Sequence, residues 1–416
     1  MQLETVLAKL QIADAKELFS PHWDDSVSLL GDRTPEFLTP EAVRVARAYG
    51  GFGDAVEDTL VETARRIAMD PELRALAWHC KRLLFDYADY DGTLIGRWPV
   101  LETLGEASGV FYLLVSMAMV PGTREKHRAM GVPDETTRET CLQLACFSSN
   151  HARMHDGRIG MPVSQMYWLR QYPAGRLFRL GRMEYKIEPF PGGVEAYRHL
   201  ETGKVVALAA DGTRFNREGY IDAEGCAPED PEGWTALLTV GPDAVSGCTV
   251  SPRGMGLRTR ITLPFNEWSC ALTKGEPTLE MHIPEGGRMT VKACGDSMRR
   301  ACTFFDRFFP EQRCRSIASR SWIFNNLFEE IRLSSTNLVD FQRELYLYPT
   351  PSNGKEGWWF IFMQNDIDPK TAPRDTSLRR GVADFLAEGR EWRGGGMFFL
   401  REDLAEYGTQ FYRRSE

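Results

Sequence analysis

Two proton-handling side chains two residues apart, Glu280 and His282, stand in the stretch TLEMHIPEGGRM (Thr278–Met289), beside a loop with two adjacent glycines. Strand side chains alternate faces, so a strand over 279–283 projects Glu280 and His282 together and turns Leu279, Met281 and Ile283 to the other side. A carboxylate and an imidazole on one face can accept and hand on a proton. The same alternation also suits a half-exposed strand whose polar face meets water.

The loop PEGGRMTVKACG carries Gly286, Gly287, Arg288 and Lys292 and leads into DSMRRACTFFDRFF, a helix expected over 296–309. Met298, Ala301, Cys302, Phe305, Phe308 and Phe309 recur at helical spacing, so one face packs on a sheet, while Arg299 and Arg300 lie opposite. Strand, loop and helix start together present free backbone amides and the positive end of a helix dipole, which suits phosphate oxygens. A plain connection with solvated arginines fits the same residues, and Asp296 at the helix start competes for those amides.

Other motifs carry less. GDSM (Gly295–Met298) has the form of an esterase nucleophile motif, but a serine nucleophile needs a base, and in that class it lies downstream; His282 is the last histidine of the chain. There is no GxSxG and no GxxxxGK[ST], and GMGLRT (Gly254–Thr259) lacks a third glycine and the strand-then-helix context of a dinucleotide site. His151 and His155, four apart and next to Asp156, lack a third ligand at motif spacing and read as a surface helix end; His22 with Asp24 and Asp25 is weaker still. The nine cysteines are scattered, never spaced CxxC, and read as free thiols of a reducing compartment.

The elements that must position these groups change character along the chain. Residues 1–172 read as a helical domain: Thr39-Pro40 and Asp70-Pro71 are capping residues followed by proline at the first helical position. Val56, Leu60, Ala64 and Ile67, then Leu73, Leu76, Ala77 and Cys80, recur at helical spacing. WPVLETLGEASGVFYLLVSMAMV (Trp98–Val120) is apolar nearly all round and predicts a helix buried in a bundle. Residues 173–416 begin with short Val-, Thr-, Tyr- and Phe-rich runs, with a hairpin around Glu201-Thr202-Gly203. From Thr278 the expected order is strand 279–283, helix 296–309, strand 315–324, helices 325–332 and 336–343, strands 344–349 and 357–363, helix 376–388 and strand 396–400. That succession predicts an α+β fold: a helical N-terminal domain, then an α/β domain with a mixed, mostly antiparallel sheet.

Composition sets outer bounds. The chain has 416 residues, 43% hydrophobic and 26% charged, with a net charge of −8, so no whole face is expected to bind nucleic acid. No apolar run reaches the length a membrane helix needs and the first residues lack a signal-peptide pattern, so no membrane association and a cytoplasmic location are expected.

The pieces YPAGRLFRLGRMEYKI (Tyr172–Ile187), LEMHIPEGG, ACTFFDRFFP, RSIASRSWIF (Arg315–Phe324) and LSSTNLVDFQRELYLYP (Leu333–Pro349) together resemble a bacterial family of acyltransferase-domain proteins. That family joins an N-acyltransferase N-terminal domain to a GNAT-like C-terminal domain, and the resemblance covers essentially the whole chain. It implies an N-acyltransferase that moves an acyl group from acetyl-CoA or a longer acyl-CoA to the amine of a small molecule or peptide, without a metal. Strand 279–283 is then the central strand, 284–295 the pyrophosphate loop and strand 315–324 the neighbour that splays away. Gly286, Gly287, Arg288, Ser297, Arg299 and Arg300 are expected to hold the coenzyme, and Glu280 or His282 to act as the base. The loop departs from the family pattern, since its arginine follows the glycines, and 325–332 contains none of the tyrosine that often serves as general acid. A non-catalytic GNAT-like protein that binds a ligand or regulates is the alternative.

Overall fold

The structure is a computed structural model that describes residues 1–221, 230–331 and 336–414. Cys226, Arg332 at the end of the expected helix 325–332, and Leu333–Ser335 lie outside the described residues. The chain divides into two compact units: Met1–Leu180 with Pro284–Gly286, and Gly181–Ile283 with Gly287–Glu416.

The first unit is helical, and its helices start where capping chemistry demands. The Thr39 hydroxyl accepts the Ala42 N–H at 3.3 Å, and the Asp70 carboxylate accepts the N–H groups of Glu72 and Leu73, each at 2.9 Å. The following helices, Pro40–Tyr49 and Pro71–Phe85, carry proline in the first turn. Leu60, Ala64 and Ile67 of helix Glu57–Met69 and Leu73, Leu76, Ala77 and Cys80 of Pro71–Phe85 are all buried in one core. Each large aliphatic side chain so placed contributes roughly 1.5–3 kcal/mol.

Trp98–Val120 is not one helix. A 3-10 segment, Glu102–Ala107, is broken at Gly105, whose φ of 55° suits glycine, before helices Ser108–Met117 and Met119–Met130. The whole stretch Glu102–Met130 is long and apolar enough by composition to cross a membrane, which corrects the expectation stated above; nearly all of Ser108–Met117 is buried among the other helices.

The described residues of the second unit form two larger sheets and a two-stranded one, Arg214–Phe215 with Trp234–Thr235. One larger sheet contributes strands β1 (Met183–Pro189), β2 (Pro277–His282), β3 (Ser316–Ser321), β4 (Tyr346–Tyr348) and β5 (Gly395–Leu400), in the order β1-β2-β3-β5-β4. β2 and β3 are parallel and the other pairs antiparallel. The other larger sheet is antiparallel, with Val194–His199, Val205–Ala209 and Ala244–Ser251 at its centre. The first two form the expected hairpin, with Gly203 at φ 71°. Helix α1 (Val291–Phe308) packs on β1: the Tyr185 hydroxyl and Ser297 Oγ lie 3.1 Å apart, and Ser297 Oγ accepts the Met183 N–H at 3.1 Å.

Three local expectations fail. WWFIF, within the expected strand 357–363, forms helix Trp358–Phe362, bounded by Gly357 and Met363, both left-handed. Strand 315–324 stops at Ser321 and continues as a 3-10 turn, Trp322–Phe324, and the helix expected from 325 is a 3-10 segment, Asn326–Glu329.

Candidate active site

The site is built on β2. Its register against β1 pairs Glu280 with Lys186 and His282 with Glu184, while Met281 pairs with Tyr185. Tyr185 touches Ser297 of α1, so Glu280 and His282 lie on the sheet face opposite that helix, together with Glu184, Lys186 and Glu188.

The Glu280 carboxylate sits 3.0 Å from the Lys186 ammonium and 3.1 Å from His282 Nε2. Burial alone would raise its pKa, but the hydrogen bonds and charges of His282 and Lys186 outweigh that and hold it down at about 2. Burial likewise opposes the charge on Lys186, and its bonds to Glu280 and Glu188 overcome this, so its pKa is raised. A carboxylate only accepts hydrogen bonds, so His282 Nε2 carries a hydrogen, which leaves Nδ1 as the ring nitrogen able to take one up. Glu280 is therefore a weak proton acceptor at neutral pH, and it orients the imidazole. Lys186 and Glu184 were not among the sequence candidates. They were legible in principle, because Glu184, Lys186 and Glu188 alternate on β1 as Thr278, Glu280 and His282 do on β2.

β2 and β3 part company after two register pairs, Leu279 with Ile317 and Glu280 with Ala318. β2 continues against β1 as far as His282, and β3 continues against β5 as far as Ser321. Beyond Glu280 and Ala318, β2 and β3 share no further register pair among the described residues, so Met281 and His282 diverge from Ser319–Ser321. Such an opening offers backbone donors and acceptors to an extended ligand chain.

The loop after β2 has Gly286 at φ 94° and Gly287 at φ 70°, two consecutive residues in conformations that favour glycine. Gly286 belongs to the segment that groups with the helical unit, whereas Gly287 and the exposed Arg288 belong to the second unit. α1 begins at Val291, five residues earlier than expected, capped by Thr290, whose hydroxyl accepts the Ala293 N–H at 3.2 Å. The first-turn amides of Val291 and Lys292, with Arg288 before them, are therefore the backbone donors at the start of the helix.

This start displaces three of the expected coenzyme residues. Ser297 is buried, with its hydroxyl engaged by β1, which also excludes it as a nucleophile. Arg299 lies over the Tyr407 ring and 3.5 Å from Asp296, and it and Arg300 sit beyond the first turn. Asp296 no longer competes for the leading amides, since it falls in the second turn and pairs with Lys292 and Arg299. No cluster of three or more possible metal ligands occurs among the described residues.

In the first unit His151 is buried, contrary to a surface helix end, and stacks on His155 with ring centroids 4.2 Å apart. The Tyr346 hydroxyl donates to Val250 O at 2.5 Å and accepts the Ala207 N–H at 3.0 Å, a structural role that leaves it unsuited to proton transfer.

Comparison with known proteins identifies the two domains. Residues 42–173 match the N-acyltransferase N-terminal domain and residues 177–399 the GNAT-like C-terminal domain. A solved acyltransferase mutant in complex with octanoyl-CoA is 23% identical, with a TM-score of 0.62 over 96% of this chain and 99% of that one. An acyltransferase in complex with decanoyl-CoA and teicoplanin is 22% identical, with the same TM-score and coverage. These likenesses establish the fold. No curated protein matches the chain. With more than half its length in the GNAT-like domain and the N-acyltransferase N-terminal domain ahead of it, the chain belongs to the family of GNAT-like C-terminal domain proteins.

Proposed function

We propose that this protein is an acyl-CoA-dependent N-acyltransferase. The observation that carries the reading is the parting of β2 and β3 after two register pairs, with a base-bearing strand on one side of the opening. The opening where the strands diverge fits the amide-bearing arm of an acyl-CoA, and Gly287, Arg288 and the Val291–Lys292 turn fit its pyrophosphate. Bound there, the coenzyme supplies an activated acyl thioester.

The acceptor amine attacks the thioester carbonyl carbon, forming the C–N bond as the C–S bond breaks. His282 Nδ1 takes the amine proton, directly or through water, and the thiolate leaves with the coenzyme and takes up a proton. Positioned bases of this kind contribute typically 10²–10⁴-fold. Glu280 holds the ring and Lys186 holds Glu280. The solved neighbours hold octanoyl-CoA, decanoyl-CoA and a glycopeptide, which supports a medium-chain acyl donor and a small-molecule or peptide amine here.

Titration with acetyl-CoA, octanoyl-CoA and decanoyl-CoA, followed by thermal stability, should raise Tm with at least one thioester; no shift with any of them sinks the proposal. Thiol release with a panel of amines should then fall at least 100-fold in His282→Ala while the Tm response to acyl-CoA persists. A specific observation favours a second reading as a non-catalytic acyl-CoA binder: no tyrosine lies in Asn326–Glu329, and the Tyr346 hydroxyl is structurally engaged. A Tm response without thiol release from any amine would select it.

A further inference from the structure

The helical unit contains a cavity of about 540 Å³ that the acyl-transfer reading does not use. Trp98, Tyr112, Met161 and Val163 supply much of a mainly apolar lining, and His151 and His155 are the imidazoles on its wall. His151 is held with unusual care. A Cβ on Gly109 would lie 2.4 Å from its Nε2, and one on Gly160 would lie 2.4 Å from its Cε1, so two glycines make room for the ring. Neither glycine has a positive φ, so the requirement is space.

His151 Nδ1 lies 3.1 Å from the Arg158 carbonyl oxygen. A carbonyl only accepts, so Nδ1 carries the hydrogen and Nε2 is the lone-pair nitrogen. Nε2 makes no hydrogen bond to any described residue. Burial lowers the pKa of the ring, and the neighbouring His155 adds to this against the Arg158 hydrogen bond, so at neutral pH it is an uncharged acceptor. An oriented acceptor in an apolar cavity lacks one thing, a donor on an apolar body.

We infer that this cavity binds a small molecule with an aromatic body and one hydroxyl, of the phenol class, whose O–H donates to His151 Nε2. All of its residues lie in the first unit, so it stands or falls apart from the acyl-CoA opening.

Phenol and toluene, which share a shape and differ in the donor, are the probes. Imidazole ¹⁵N NMR of the full chain should show saturable movement of the His151 Nε2 resonance with phenol, at a concentration about fivefold lower than toluene requires. His151→Phe should remove the preference while circular dichroism stays unchanged, and Gly160→Ala, which pushes on the ring, should weaken phenol binding. Should those variants fail to fold, the phenol–toluene contrast in the unaltered chain still decides. Equal binding of the two probes, no binding of either, or a preference that survives His151→Phe overturns the inference.

Discussion

Replacing Glu280 by Gln tests the charge arrangement at the centre of the site. The side chain keeps its shape and loses its charge, leaving Lys186, whose side chain is 16% exposed, beside a neutral amide. The carboxylate's fall from an ordinary 4.5 to about 2 corresponds to about 3 kcal/mol of preference for the folded state if nothing screened it. A third of the side chain meets water, and exposed pairs return well under their nominal value, so about 1–2 kcal/mol is expected at pH 7. The sign follows from the direction: a carboxyl depressed on folding stabilises fully above 4.5, and the contribution disappears as pH falls through about 2. Urea denaturation followed by tryptophan fluorescence should therefore place Glu280→Gln at a lower midpoint than the parent at pH 7 with an unchanged slope, and the gap should narrow towards pH 3. Equal midpoints at pH 7, or a gap that is constant with pH, would refute the reasoning. In the same variant acyl-CoA should still raise Tm while thiol release falls, because the residue acts on His282.

Other outcomes follow from groups outside the opening. His79 is held down at about 3 mainly by burial, with Ser26 and the Phe19 carbonyl at its nitrogens, and His127 at about 4 by burial. Both must stay neutral in the fold, so their stability is complete above 6.5 and declines as pH falls, by about 2 kcal/mol each at pH 5; melts that are flat between pH 7.5 and 5 would contradict this. Ser297→Ala removes the acceptor of the Met183 N–H and should cost about 1–3 kcal/mol without altering the Tm response to acyl-CoA; loss of that response in a folded variant would return Ser297 to the coenzyme site. Gly357→Ala puts a Cβ 2.2 Å from Trp322 Cγ at a φ of 77°, and should lower stability by about 3 kcal/mol or more in chemical denaturation.

The helix starts at Thr39 and Asp70 were legible because a cap is local: one side chain answers N–H groups two or three residues on. The start of α1 was not, and Gly295 is the reason. A glycine inside a helix costs about 1 kcal/mol against alanine, so the sequence reads best with the helix beginning after it. In the fold a Cβ at 295 would lie 2.5 Å from the Tyr407 ring, a contact more than a hundred residues away that no local pattern reveals. Burial of Met298, Ala301 and Phe305 on the same helix outweighs the glycine. WWFIF failed differently: five apolar residues fit strand or helix equally, and the left-handed ends at Gly357 and Met363 decide. His151 escaped because Gly109, which together with Gly160 admits its ring, is remote from it in sequence.

The pairing of β1 with β2 shows how much of a site can be fixed by register alone. Read antiparallel, Glu184-Lys186-Glu188 meets His282-Glu280-Thr278, so the acid on each strand faces the base on the other. A slip of one residue would carry Lys186 and Glu280 to opposite faces and set Glu280 among Tyr185 and Ile187, where a charge has no partner. The apolar partners Met281 with Tyr185 and Leu279 with the half-buried Ile187 impose the same register from the other face. Two independent patterns, charge on one face and bulk on the other, thus select one alignment. That alignment brings Lys186 to Glu280 and Glu280 to His282, so the orientation of the imidazole is set by the packing of the sheet and needs no ligand to create it.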